Sequence, residues 1–271
     1  MKTKINPLNK KVILKNISKK NFLRLSGIKV LKTTQSTNDE AKRILQEITK
    51  DNLSYFFIAE EQTSGRGTKG KKWISPYGKN IYLSLAWKST LTLDKTDGLS
   101  LAVAVAVAEI LNKELNLDIK IKWPNDLILQ NKKVGGMLIE TSLERNSTGI
   151  IIGLGLNVFM KKNDIDKIDQ EWTSIMYHSN KIPDRNIISG LVMNSILKLT
   201  NDFNNYGFTH YRNRFEKLNF LKGKKCKVTS EEKPDFIGKI FGVNDRGELL
   251  IKRKEEIFEL RSSLNSIVIL D

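Results

Sequence analysis

Cysteine and histidine are nearly missing from this chain: Cys226 stands alone, and His178 and His210 are the only histidines. One thiol cannot close an internal disulfide, and three such residues so far apart have no metal-ligand spacing, so neither zinc chemistry nor Cys–His catalysis is expected. No metal ligand is assigned, and ordinary structural places are expected for all three. Long apolar runs are also lacking. The longest, Leu101 to Ala108, stops at Glu109, too short to cross a bilayer, and the first thirty residues contain no apolar signal-peptide core. A cytoplasmic protein without a membrane partner is expected. Acids are scarce relative to bases, 30 against 46, leaving a net charge of +16. Such a charge attracts nucleic acid, membrane surface or an acidic protein without choosing among them, and the excess is mostly lysine scattered along the chain. Internal repeats and low-complexity tracts are absent.

What is present suits a soluble globular protein: 271 residues, 39% hydrophobic and 28% charged, enough for one large domain and a small satellite. Thr37 to Glu40 has capping-box spacing, and Ala41, Ile44, Leu45 and Ile48 then repeat on one helical face. Tyr55 to Glu60 and Asn80 to Trp87 read as strands on either side of a polar, glycine-rich loop from Gln62 to Trp73. Leu99 to Leu115 has the length of a buried helix. Ile119 to Trp123, Asp126 to Leu129, Met137 to Thr141 and Gly149 to Val158 read as consecutive, largely antiparallel strands, separated by Asn131 to Lys133 and Arg145 to Ser147. Ile188, Leu191, Val192, Ser195, Ile196 and Leu199 mark a long amphipathic helix able to cover a sheet. From about Phe220 only short strands remain, with a turn at Asn244 to Gly247. The expectation is an α+β domain over residues 1–219 and a small β-barrel over 220–271.

Three stretches bear on chemistry. Gly65-Arg66-Gly67-Thr68-Lys69-Gly70-Lys71-Lys72-Trp73 combines three glycines, which let backbone approach a ligand, with four cations, and reads as a phosphate-binding loop or else as a solvated basic turn. It is not a P-loop, because Lys72 takes the Ser/Thr position and no helix is expected to follow. Lys122-Trp123-Pro124-Asn125-Asp126-Leu127, with Lys133 to Gly136 beyond it, would set Asp126 beside Lys133 across a hairpin. The acid could then orient the cation toward a substrate carboxylate, or the two could be a plain surface ion pair. In Gly153-Leu154-Gly155-Leu156-Asn157 the glycines permit either ligand approach or close strand packing.

Together with Ser36-Thr37-Asn38, in this order and at these separations, the loop, KWPNDL, KKVGGML and GLGLN resemble the biotin–protein ligase family from about residue 5 to the C-terminus. The resemblance implies a class II synthetase-like, lipoate-ligase-like catalytic domain with a mixed, largely antiparallel sheet, then a C-terminal SH3-like β-barrel. It implies that biotin is activated by ATP and Mg2+ to biotinyl-5'-AMP and transferred to a lysine of a carrier, the biotin carboxyl carrier protein of acetyl-CoA carboxylase. Ser36, Thr37 and Gln62 would then hold the biotin ureido end and Asn38 would also bind biotin, with the backbone around Gly65, Arg66, Gly136 and Gly153 shaping the pocket. Lys133 would meet the biotin carboxylate, and Asp126 would position Lys133 or help deprotonate the acceptor lysine; these two and Arg66 form the catalytic set. Arg66, Thr68, Lys69, Lys71, Trp73, Asn125, Asn157 and Trp172 would serve the nucleotide.

Thr68 stands where the family often has Arg, and Lys71 also replaces Arg, so looser retention of the adenylate is expected. The short basic segment ahead of the match leaves no room for a DNA-reading domain, and operator binding is not expected. An exposed strand edge would allow a two-fold homodimer. The rival readings are a lipoate or octanoate ligase, against which the GRG…W loop and KWPND speak, and a basic nucleic-acid-binding protein, against which the sparse aromatics of the basic segments speak.

Overall fold

The computed structural model describes residues 5–47, 54–143, 148–164, 170–230, 235–262 and 264–270. Ile48 and the expected link Arg145 to Ser147 lie outside them. Seven strands form the large sheet: β1 (Gly27–Thr34), β2 (Ser54–Gln62), β3 (Ile81–Ser89), β4 (Lys120–Lys122), β5 (Asp126–Leu129), β6 (Lys132–Leu143) and β7 (Thr148–Leu156). Their order is β1-β2-β3-β7-β6-β5-β4, with β1 and β2 parallel and every other pair antiparallel. The sheet is mixed, as expected.

Period-two alternation divides its faces. On β7, Ile150, Ile152, Leu154 and Leu156 enter the main core, whereas Ile151 faces Ala41 and Leu45 of α3 (Thr37–Glu47). The core side is filled by α4 (Leu99–Leu115), buried on all sides from Leu101 to Ala108, which explains its lack of a polar stripe. The long helix α5 (Arg185–Tyr206) packs mainly on α4 and on α1 (Lys10–Lys15), also meets α2 (Lys19–Phe22), and touches the sheet chiefly along β3. It forms an outer layer rather than the direct sheet cover that its periodicity suggested.

Two local expectations are corrected. Thr37 is the first residue of α3 and not its cap: its N–H and hydroxyl both donate to Gln62 Oε1, at 2.9 and 3.0 Å, while Glu40 accepts from Thr34. A side chain from β2 thus satisfies a helix-end donor in place of a capping box. The β5–β6 turn is Gln130–Asn131, both with positive φ (49° and 60°), and Lys132 and Lys133 already pair with Leu129 and Ile128. Two positive φ values in succession suit a two-residue hairpin, and asparagine tolerates them well.

The chain ends in an antiparallel five-stranded sheet, the small β unit expected there: β8 (Lys225–Ser230), β9 (Phe236–Val243), β10 (Leu249–Arg253), β11 (Glu256–Leu260) and β12 (Asn265–Leu270), ordered β11-β10-β9-β8-β12. Cys226, Val228, Ile240 and Ile251 on its inner face join the main core, and burial pushes the Cys226 thiol up, away from the reactive thiolate. The expected turn closes with Gly247 N–H donating to Asn244 O at 3.0 Å. It abuts the large sheet, since Trp123 Nε1 donates to Gly247 O at 3.0 Å and Arg246 meets Asp97 at 2.7 Å. Gly247 (φ +75°) could not carry a side chain, for a Cβ there would lie 2.9 Å from Gly98 Cα.

Candidate functional site

Two adjoining clefts meet at Thr68, Trp73, Asn125, Asp126 and Lys133, the first of them on the α3 side of the large sheet. The first is walled by Ser36, Thr37 and Asn38 at the start of α3, by Gln62 and Arg66, and by Gly136, Leu138, Gly153 and Gly155 of β6 and β7. Its glycines make room for neighbouring side chains. A Cβ on Gly153 would lie 2.4 Å from Asn38 Oδ1, and one on Gly155 would lie 2.3 Å from the Trp73 indole. Close packing therefore accounts for both, while they still leave bare backbone in the wall.

The closed end of this cleft is polar and connected. Thr37 donates to Gln62, Gln62 Nε2 donates to Ser75 Oγ at 3.0 Å, and Ser84 Oγ lies 2.7 Å from Thr37 Oγ1 and 2.6 Å from Asn38 Oδ1. Asn38 Nδ2 in turn donates to Glu140 at 2.5 Å. Such a network fixes rotamers and presents preset donors and acceptors to a ligand. Ser84, Asp39 and Glu140 escaped the sequence reading, although a serine between Leu83 and Leu85 in an apolar strand was a usable signal.

Arg66 sits at the mouth, 2.8 Å from the Asp39 carboxylate and 3.4 Å from Glu140. Partial burial opposes its charge, but the hydrogen bond to Asp39 and the nearby carboxylates outweigh this and raise its pKa above the ordinary value. Lys133 and Asp126 form a tight pair, Nζ to Oδ1 2.7 Å, with side chains only 17% and 21% exposed. The ammonium also lies 5.5 Å from the Trp73 ring centre. Lys133, Asp126, Asn125, Thr68 and Trp73 border both clefts.

The second cleft is strongly cationic. Lys69, Lys71, Lys72 and Lys122 line it, facing Ser262, Asn265, Ser266 and Ile267 at the start of β12. Thr68 to Gly70 makes a 3-10 turn with Lys69 at φ 54°, and no α-helix follows it. Gly65 lies beneath the loop, packed so that a Cβ would meet Trp73 O at 2.4 Å. Asn157 and Trp172 are on neither wall. Asn157 is buried and donates to Thr173 O at 3.1 Å, and Trp172 lies beside Lys133, whose N–H bonds Glu171 O and whose carbonyl accepts from Thr173 N–H. Lys122 opens the KWPNDL stretch but was given no role of its own there, and nothing in the sequence advertised the β12 residues as part of this wall.

A closed polar end, a central Lys–Asp pair and a lysine-rich outer cleft define a site for a polar-headed acid beside a polyanion. Residues 28–157 match the model of the biotin/lipoate A/B protein ligase family. The bifunctional ligase/repressor BirA of Escherichia coli (strain K12) is 32% identical over 228 residues, spanning 84% of this chain and 70% of that protein. BirA of Bacillus subtilis (strain 168) is 30% identical over 241 residues, spanning 86% and 71%. Among solved structures, the biotin protein ligase from Aquifex aeolicus in complex with biotin and ATP superposes with a TM-score of 0.74 at 27% identity, covering 91% of this chain and 100% of that one. The chain belongs to the biotin/lipoate A/B protein ligase family.

Proposed function

We propose that this protein is a biotin–protein ligase: it joins biotin to ATP as biotinyl-5'-AMP and passes the biotinyl group to a lysine of a biotin carboxyl carrier protein, that of acetyl-CoA carboxylase. The observation that carries the choice of acid is the polar closed end built by Ser36, Thr37, Asn38 and Gln62. A ureido ring brings N–H donors and a carbonyl acceptor that can join this network, whereas a lipoyl or octanoyl tail brings none to it. In the first step a carboxylate oxygen attacks the α-phosphorus and pyrophosphate leaves; in the second the acceptor amine attacks the acyl carbon, and AMP leaves.

We assign Lys133 to the biotin carboxylate, since the Asp126 partner holds its ammonium at the junction of the clefts. Two anions must meet for the first step, so cations placed there lower the barrier. Lys69, Lys71, Lys72 and Lys122 supply charge along the outer cleft for the phosphates. Arg66, engaged by Asp39 and Glu140, holds the loop across the mouth, where it shields a water-sensitive acyl phosphate. Magnesium carried by the nucleotide would supply further positive charge beside Lys69, Lys71, Lys72 and Lys122. We further assign Arg66, Asp126 and Lys133 to a catalytic domain over residues 1–219, with 220–271 as the companion β unit that walls the outer cleft, and infer a cytoplasmic enzyme able to pair through a free strand edge. No helix among the described residues is long and apolar enough to span a membrane.

Incubation with ATP, magnesium, biotin and a carrier domain, followed by a streptavidin blot, tests the reading. An unlabelled carrier, or pyrophosphate exchange that needs lipoate and ignores biotin, would overturn it. Two variants probe the loop. Thr68→Arg should release less free biotinyl-5'-AMP than wild type when no carrier is present, and equal release would show that position 68 does not govern retention. Gly155→Ala drives a methyl into Trp73, an overpacking worth about 1–3 kcal/mol, and should raise KM for ATP by about tenfold. An unchanged KM would mean that Trp73 does not seat the nucleotide.

A further inference from the structure

On the C-terminal sheet the strand register sets like charge against like. Lys225 of β8 stands opposite Lys239 of β9, and Lys239 stands opposite Lys252 of β10. All three are exposed, and among the described residues none of them forms an ion pair. Like charges directly opposite on neighbouring strands cost stability, so folding does not account for the row. Apolar residues end it: Leu270 of β12 pairs with Lys225, and Ile257 of β11, 52% exposed, pairs with Lys252. The next row on the same face runs Val268–Lys227–Ile237, with both apolar members more than half exposed. The face therefore has a cationic middle at Lys225, Lys239 and Lys252 and an apolar rim, with Lys227 already paired to Asp235 at 2.9 Å.

Its position gives it a partner. Asn265, Ser266 and Ile267 of β12 line the outer cleft, and the lysine row meets β12 at Leu270, about 10 Å further along the strand at the usual rise. A protein whose lysine enters the cleft over β12 would lie against this face. We propose that the Lys225–Lys239–Lys252 face docks an acidic surface of the acceptor protein and holds it while the acceptor lysine enters the cleft. This rests on the ligase reading above. Carboxylates answer the lysines, and a mixed polar and aliphatic patch is ordinary interface chemistry. A nucleic acid fits less well, because Phe241 is the one exposed aromatic among the described residues of this sheet and offers no series of stacking rings.

The test compares the full chain with a Lys225→Gln/Lys239→Gln/Lys252→Gln variant, using a purified biotin carboxyl carrier domain as acceptor at about 20 mM and about 0.5 M salt. At low salt the variant should raise KM for the acceptor by about tenfold, with kcat and biotin-dependent pyrophosphate exchange unchanged, and the difference should vanish at high salt. The matching Lys→Arg triple variant should keep the wild-type KM. Equal KM values for wild type and the Gln variant would overturn the proposal while leaving the ligase reading intact, as would an exchange rate that falls in step with transfer. Salt-sensitive retention of a single-stranded oligonucleotide, lost in the Gln variant with acceptor KM unchanged, would reassign the face to nucleic acid. Failure of the wild type to label the acceptor at all would remove the ligase reading and this proposal with it.

Discussion

Lys133→Ala should cut biotin-dependent exchange of pyrophosphate into ATP by on the order of 10²–10³-fold, the usual consequence of removing one preorganised charge-stabilising donor. Two effects combine at this position. The ammonium that would neutralise the attacking carboxylate is lost, and Asp126, only 21% exposed, is left without the cation 2.7 Å away. The unpaired carboxylate then adds repulsion where two anions already have to meet. Lys133→Arg should recover little, because a planar fork does not reproduce a point charge held between Asp126 and the Trp73 ring. The loss should fall on kcat for adenylate formation more than on folding, which circular dichroism and a urea midpoint would check. An exchange rate within a few-fold of wild type would take Lys133 out of the chemistry.

Arg185→Met should lower the free energy of unfolding by about 3–5 kcal/mol, the range for removing one partner of a buried ion pair. Arg185 and Glu60 have side chains 2% and 6% exposed and meet at 2.7 Å. Arg185 also donates to Asn80 O at 3.2 Å and to Asn6 O at 3.0 Å, and Glu60 accepts from Leu8 N–H at 2.5 Å. The pair therefore fastens the N-terminal segment, the end of β2 and the start of α5. Deleting the cation strands a carboxylate in the core, so the urea midpoint should fall sharply. Adding Glu60→Gln should recover part of the loss, because the stranded charge goes too. A single variant that unfolds like wild type would show that water reaches Glu60 in solution.

The repeats of apolar residues made α3, α5, the strands β2 to β7 and, in the small sheet, β9 and β10 legible, because period 3.6 and period 2 follow directly from which face is buried, and length made α4 legible; β1 was not read from the sequence. Contacts made across long sequence separations were not legible. Gln62 serves as the cap of α3 from 25 residues away, and the capping-box spacing at Thr37 gave no warning of it. The parallel pairing of β1 with β2 and the placing of α5 on α4 likewise depend on tertiary packing. In the site, Ser36, Thr37, Asn38, Gln62, Arg66, Asp126 and Lys133 do line one cleft. The β12 residues of the outer wall come from a segment with no distinctive composition, and only the docking of the two sheets brings them face to face with Lys122.

That docking limits how the molecule can be divided. Trp123, next to the Asn125–Asp126 pair, gives its indole proton to the backbone of Gly247, and Gly247 in turn presses on Gly98 at the head of α4. A shortened version ending near residue 219 would strand that indole, strip one wall from the outer cleft and open the shared apolar interior to water. The small sheet is thus a working part of the reaction vessel, and a minimal enzyme cannot be carved from the larger portion alone.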